Sequence, residues 1–274
     1  MTEDRPWTVA QAMEHAVGLV RAGDYAAAIP LLERIDRTGQ SPHARMIIDF
    51  ARFRLAGHTV APVACHGHTL LFEIAGDNVG HDMFHVSGRL FEAAELDYCR
   101  TNIPVGSRIV DVGANTGNHS VFFGHVLKPP FLLPIEPNPQ AVARLKANLA
   151  RNRIDHDPRG LGIAVGAARA MAALEPGAGD LVAGRLKPNG SIPVLPLDDL
   201  LDAPVDFLKI DVEGMEFSVL AGAQTLLRTG RPQMLIETAD RTADRLRQFC
   251  QDHGYRIDRE FPGYGYKNYF LKPA

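Results

Sequence analysis

The sequence predicts an α/β protein whose parallel strands carry a ligand crevice at their carboxyl ends, and three stretches predict it. The first runs from Arg108 to Ser120: a short β-branched run, two glycines four positions apart, and the start of an amphipathic helix through Val121, Phe122, Phe123 and Val126. The second is Phe131 to Ile135, a buried-strand pattern ending in Glu136-Pro137-Asn138-Pro139. The third is Val205 to Ile210, a further strand that ends in Asp211-Val212-Glu213-Gly214 before a helix through Val219 and Leu220. Strands that alternate with helices build parallel sheets, and ligands bind outside the carboxyl ends of such strands.

Gly113 and Gly117 have no Cβ, so the backbone can turn sharply and a ligand can lie against it, with N–H groups of the helix start facing the ligand. The spacing departs from both phosphate fingerprints. Asn115 stands where a dinucleotide motif needs its second glycine, which disfavours a nicotinamide oxidoreductase. Gly117 is followed by Asn118-His119 where a phosphate-cradling loop needs Lys-Ser or Lys-Thr. No Lys or Arg lies between Gly113 and Ser120, so the loop suits a ligand of little negative charge, such as S-adenosylmethionine. An α/β protein without a ligand can also carry such a turn.

Glu136 lies 25 positions after Asp111, close to the roughly 20 residues that separate a Gly-rich turn from a ribose-binding acid. A carboxylate there accepts two hydrogen bonds from a vicinal diol. Asn138 and Pro139 read as N-cap and first position of a helix carrying Val142, Leu145 and Leu149. Asp211 falls in the same crevice, and Lys209 shares its strand face. Glu216 is equally a first-turn acid favoured by the helix dipole.

Together, Val110 to Ser120, Glu136-Pro137-Asn138-Pro139 and Leu208 to Glu216 resemble the FkbM-type S-adenosylmethionine-dependent methyltransferases. Lys209-Ile210-Asp211-Val212-Glu213-Gly214 is the most specific string. Leu197-Asp198-Asp199-Leu200 and Arg231-Pro232, leading to Met234-Leu235-Ile236-Glu237, add weaker matches. Thr116 departs from the bulkier aliphatic residue of many members. The resemblance covers the chain from about Phe91 onward. It implies a class I methyltransferase, Rossmann-like fold: a mostly parallel seven-stranded sheet with helices on both faces, here with an N-terminal helical extension. It also implies methyl transfer, in characterised members to a hydroxyl oxygen of a sugar or natural product.

The expected cofactor contacts are Asp111, Gly113, Ala114, Asn115, Gly117, Asn118, Glu136, Pro137, Asn138, Ala164, Val165 and Asp211. Glu92, at the methionine end, is implied by the resemblance alone. A sulfonium already activates the methyl group, so the protein must align an acceptor hydroxyl and take its proton. Asp211 at a strand end and His119 just past the turn are the candidate bases, with Glu213 beside them. Asp211, Glu213 and Glu237 could present oxygens to magnesium or simply to a hydroxyl, and no metal site is assigned. The alternative is a non-catalytic protein of the same fold that binds S-adenosylmethionine or docks a partner.

The 274 residues suffice for one full α/β domain plus an appendage. With 29 basic and 32 acidic residues and a net charge of −3, nothing asks for nucleic acid or an anionic membrane. Three widely spaced cysteines, Cys65, Cys99 and Cys250, argue against a disulfide framework. Met1 to Trp7 lacks a signal-peptide pattern and no apolar run reaches about 18 residues, so a cytoplasmic protein is expected.

Taken in order, residues 1–58 read as helices: Val9, Met13, Val17 and Val20, then Ala27, Ala28, Leu31, Leu32 and Ile35, then Ile47, Phe50 and Leu55. The Gly23-Asp24-Tyr25 break resembles half a tetratricopeptide repeat without a second copy. This segment is a helical cap on the catalytic domain or a docking module, and a homodimer would form through it. Residues 59–98 read as a β-hairpin or meander with a Gly76-Asp77-Asn78 turn, then a lead-in helix. The histidines in and just before it, His58, His66, His68, His81 and His85, fit no compact zinc spacing and are expected in solvent or at a substrate mouth. Residues 99–274 form the cofactor-binding domain. In it, Gly162 to Val165 is the third strand and 166–196, with Gly177-Ala178-Gly179 and Pro188-Asn189-Gly190, an irregular insertion. Ala239 to His253 is a helix, and Tyr255 to Ile257 with Tyr266 to Leu271 close the sheet.

Overall fold

The computed structural model describes residues 7–175, 184–263 and 265–274. The chain forms two compact units, Met1–Phe91 and Glu92–Ala274. The Gly177-Ala178-Gly179 stretch and Met1 to Pro6 lie outside the described residues. No helix among those described is long and apolar enough to cross a membrane.

The first unit holds α1 (Val9–Arg21), α2 (Tyr25–Asp36) and α3 (Ala44–Leu55), the β1–β2 hairpin (Val60–Cys65, His68–Glu73) and α4 (Val79–Val86). Thr8 and Gln11 close a capping box on α1, and Asp24 accepts the Ala27 N–H to start α2 after the Gly23 break. Of the apolar positions the helical spacing predicts in α1 and α2, Val20, Ala28, Leu32 and Ile35 are buried, Val9, Met13, Val17 and Leu31 are half-buried and Ala27 is exposed, while Ala12 and Ala16 complete the buried side of α1. Two expectations are corrected here. The hairpin turns at His66-Gly67, both at positive φ, whereas Asn78 caps a helix by accepting the His81 N–H. His81 and His85 are buried, with ring centroids 4.4 Å from Phe91 and 3.8 Å from Phe72. Helical spacing turns them into the same core as those aromatic rings.

The second unit begins with α5 (Ala93–Asn102). Its main sheet contains β3 (Ile109–Val112), β4 (Leu132–Ile135), β9 (Phe207–Ile210), β10 (Gln233–Ala239), β11 (Tyr255–Pro262) and β12 (Tyr266–Pro273), in the order β11-β12-β10-β9-β3-β4. β4, β3, β9 and β10 pair in parallel, and β12 runs antiparallel to both of its neighbours. β3, β4 and β9 are buried along their whole length, as continuous apolar runs require between two layers of helices. Phe207 is fully buried between Phe123 and Phe270. The helices of this unit are α6 (Asn118–Phe122), which passes into a π turn over Phe123–Leu127, α7 (Pro139–Arg151), α8 (Glu216–Ala221) and α9 (Ala243–His253).

The sheet thus has six strands where seven were expected. The third strand, β5 (Ala164–Val165), pairs with β8 (Ile192–Leu195) in a second sheet, β5-β8-β6-β7, with β6 (Ala170–Glu175) and β7 (Arg185–Pro188). The segment leading into β5 touches the outer edge of β4 through the Asp157 N–H to Leu132 and a bridge between Glu136 and Leu161. Phe131 and Ile135 of the β4 segment bond inward to β3, while Leu132 and Glu136 bond outward. Pro134 therefore faces the outer edge with no N–H to offer, and a proline belongs on an edge. The described part of the 166–196 excursion is an antiparallel ribbon rather than an irregular insertion.

Candidate active site

At the carboxyl ends of β3 and β9, backbone and side chains interlock. Gly113 takes φ +78°. A Cβ there would stand 1.7 Å from the Asp211 carbonyl oxygen, so this glycine serves a backbone crossing as well as a turn. Gly117, at φ +95°, lies under Leu145 of α7, whose Cδ1 would be 2.8 Å from an added Cβ. The N–H groups of this turn are largely in use. Gly113 and Ala114 both donate to the Ile135 carbonyl, Asn115 donates to Glu136 and Gly117 to Ala114. The expectation that a ligand meets a row of free N–H groups is corrected for these four positions. The turn closes on the end of β4 before anything else can reach it.

Glu136 is the hub of that closure. Its Oε2 accepts the Asn115 N–H at 2.9 Å and its Oε1 the Asn138 N–H at 2.8 Å, and Asn138 in turn caps α7. Burial pushes the carboxyl up to about 7, against the two backbone donors that favour its charged form. Each oxygen keeps a lone pair beyond these bonds, so the group still suits a vicinal diol.

Lys209 and Asp211 stand on one face of the β9 segment, and Asp111 of β3 is in register with Lys209. The Lys209 ammonium lies 3.1 Å from the Gly113 carbonyl oxygen, 3.3 Å from Asp211 Oδ2 and 3.5 Å from Asp111 Oδ1. Burial favours its neutral form, yet Asp211, Asp111 and Glu92 together hold the ammonium charged well above the usual lysine range. Asp111 is fully buried, and its Oδ2 accepts the Ser120 hydroxyl at 2.6 Å. The Asp211 side chain remains 28% exposed, which makes it the open member of the set.

A second cluster is built from α5, α6 and β12. Glu92 sits at φ +54° just before α5, its Oε1 accepting the Asn268 amide at 2.6 Å and its Oε2 3.2 Å from His119 Nε2. Burial works against the Glu92 charge, but His119, Lys209 and Asn268 outweigh it and hold the carboxyl below the ordinary range. Glu237 of β10 lies opposite Asn268 in the sheet. Burial, then the charges of Asp211 and Glu92, raise its carboxyl above the ordinary range. Burial, Glu237, Glu92 and Asp211 push the Tyr266 phenol up to about 12.

Of the expected residues, Asp111, Gly113, Ala114, Asn115, Gly117, Glu136, Asn138 and Asp211 fall in the first cluster, and Glu92 and His119 in the second. Asn118 is buried with its Nδ2 3.4 Å from His119 Nδ1, and Pro137 lies in the turn that Glu136 closes. Glu213 is exposed on a turn at φ +52°, and Glu216 accepts the Gly214 N–H of that same turn. Ala164 and Val165 are buried in β5, the valine within the main core and the alanine within the small sheet's own. Sequence reasoning gave no role to Ser120, whose hydroxyl bonds back to Asp111 from α6, nor to Asn268 and Tyr266, which strand pairing sets opposite Glu237 and Ala239. Among the described residues no group of three or more His, Cys, Asp or Glu side chains is arranged to hold a metal ion.

No curated protein sequence matches this chain significantly. Among solved structures it is similar to the methyltransferase FkbM from Methylobacillus flagellatus KT, at 20% identity and a TM-score of 0.47, over 83% of this chain and 59% of that one. It thus spans about three-fifths of that protein's length. It is also similar to M. jannaschii TYW2 in complex with AdoMet, at 15% identity and a TM-score of 0.42, over 79% of this chain and 87% of that one. The family described as the methyltransferase FkbM domain matches residues 111–257, more than half of the chain, from Asp111 through Glu136 and Lys209 to Glu237. This chain belongs to the FkbM methyltransferase family.

Proposed function

We propose that this protein is an S-adenosylmethionine-dependent O-methyltransferase whose acceptor is a hydroxyl of a sugar, glycan or natural product. The observation that carries the reading is the partly open Asp211 carboxylate beside the Gly113 turn, whose other side Glu136 holds through the Asn115 N–H. When bound, S-adenosylmethionine would supply a methyl group whose carbon an acceptor oxygen attacks in line, the thioether leaving with the electron pair of the broken carbon–sulfur bond. Glu136 suits the ribose diol, since both oxygens retain acceptor capacity. The surrounding carboxylates suit a sulfonium, and the turn carries no Lys or Arg. Backbone around Gly113, Asn115 and Asn138 would frame the nucleoside, and Glu92 stays the candidate for the methionine end.

Asp211 takes the acceptor hydroxyl's proton as the oxygen–carbon bond forms. His119 is the weaker candidate base, because its ring is 4% exposed and turned toward Glu92. Glu213, exposed two residues after Asp211, stays a candidate for acceptor contact.

Calorimetric titration with S-adenosylmethionine, beside NAD, tests the cofactor on wild type and Glu136→Ala. Micromolar binding that the variant loses supports the reading, and no binding by folded wild type removes it. Transfer of a tritiated methyl group to a panel of methyl glycosides and macrolide alcohols then tests the chemistry. Asp211→Asn should bind cofactor as wild type does and lose roughly 100-fold or more in transfer. Unchanged transfer removes Asp211 from the reaction.

A further inference from the structure

We infer that Lys209 is a positioning residue: its ammonium fixes the Asp211 carboxylate and the Gly113 carbonyl together, so that the proton acceptor and the cofactor turn share one geometry. The inference rests on the methyltransferase reading above.

Three observations carry it. Lys209 is 3% exposed, so its ammonium stands behind the crevice and acts through its neighbours. Its ammonium hydrogen-bonds oxygens on two separate stretches of backbone, Gly113 O just after β3 and Asp211 Oδ2 just after β9, and pairs at 3.5 Å with Asp111 Oδ1 of the β3 stretch. Against its burial, Asp211, Asp111 and Glu92 stabilise its charge most strongly, and it in turn favours the charged forms of Glu136 and Glu237. Asp111 has its other oxygen on Ser120 and no exposure, so it serves as a fixed counter-charge. Asp211 is the partner that needs holding, because its side chain is partly open to solvent and staggered rotamers are available to it without the ammonium.

A buried ammonium is an expensive way to join two turns, and an apolar side chain of similar volume would often be no less stabilising. What an apolar residue cannot do is direct a carboxylate and a carbonyl at the same time. Lys209 also screens Asp111 from Asp211, two carboxylates on neighbouring strands that would otherwise repel.

The test uses full-length Lys209→Gln and Lys209→Met, alone and in the Asp211→Asn background. S-adenosylmethionine affinity is read by calorimetry, and kcat and KM with the best methyl glycoside of the panel. Lys209→Gln should raise the cofactor Kd about tenfold and lower kcat about tenfold or more, with acceptor KM changed less than threefold. In the Asp211→Asn background the same substitution should lower kcat less than threefold further, because the group it orients is already gone. Should neither single variant fold, Asp111→Asn with Lys209→Met removes the buried charges as a neutral pair and carries the same expectations. The inference is overturned if folded Lys209→Gln shows cofactor Kd within threefold and kcat within twofold of wild type, with only the melting temperature lowered. It is also overturned if the kcat losses multiply in the double variant. The affinity arm needs no acceptor. Wild type that binds no S-adenosylmethionine overturns the methyltransferase reading and this inference together, whereas wild type that binds it while Lys209→Gln matches it overturns this inference alone.

Discussion

Gly113 and Asp211 approach so closely that a Cβ on the glycine would overlap the aspartate's carbonyl oxygen at 1.7 Å. Nothing but hydrogen fits, and the obstacle is backbone, which cannot rotate away. Gly113→Ala should therefore destabilise the protein by at least about 2 kcal/mol, positive-φ strain adding to the displacement of β9 from β3. Gly214 provides the contrast: it has φ +97° but open space where its Cβ would lie. Gly214→Ala should cost only about 1 kcal/mol. Urea denaturation of both variants checks the order.

Glu136 governs a pH window. Its carboxyl stands at about 7 in the folded chain against 4.5 as the ordinary value. Between these values the folded protein holds more protons than the unfolded one, so stability falls as pH rises through that window and levels off above it. The contribution is on the order of 3 kcal/mol. Glu136→Gln should lose less stability than wild type between pH 4.5 and 7, as urea midpoints at the two ends would show.

Glu92 carries the opposite sign. His119, Lys209 and Asn268 hold its carboxyl below the ordinary range despite burial. Its contribution is present above the unfolded value of 4.5 and is lost as pH falls below it. Glu92→Gln keeps an acceptor for Asn268 but not the charge. It should be less stable than wild type by about 1–3 kcal/mol at pH 7, and thermal melts should show the gap shrinking below pH 4.5.

Phe207 supports the site from beneath. It is fully buried, with ring centroids 5.6 Å from Phe123 and 6.0 Å from Phe270. Phe207→Ala should cost about 3–5 kcal/mol, since a cavity is left under β9. Differential scanning calorimetry would register it.

Most of the helices and strands were legible because they rest on local periodicity and caps: Thr8 before α1, Asp24 before α2 and Asn138-Pro139 at α7 all stop or start helices where the residues say. α4 was not legible. Eight residues with His81 and His85 on the buried side carry too weak an apolar period to be told from a meander. The sixth-strand edge at β4 was written in Pro134, yet its meaning depends on which side of the strand the ring faces. β5 was read as a sheet member because two apolar residues cannot state their partner.

Within the site, the residue types were readable and their connections were not. Asp111, Glu136 and Asp211 announce themselves by standing at strand ends next to glycines. That Glu136 takes the Asn115 N–H and that Glu92 meets His119 and Asn268 depend on contacts between segments distant in the chain, and even the bond from Ser120 to Asp111, nine positions apart, is set by how the turn folds.

By itself, then, the sequence determined the alternation of strands and helices, the crevice acids and the family, because spacing along a strand or helix dictates which residues share a face and an end. Only the tertiary structure decided that β5 leaves the main sheet, that Gly113 is required by Asp211, and that the buried Lys209 ammonium joins two turns. Each of these is a long-range approach of atoms, settled by packing and by pairing buried charges, and no local period records it.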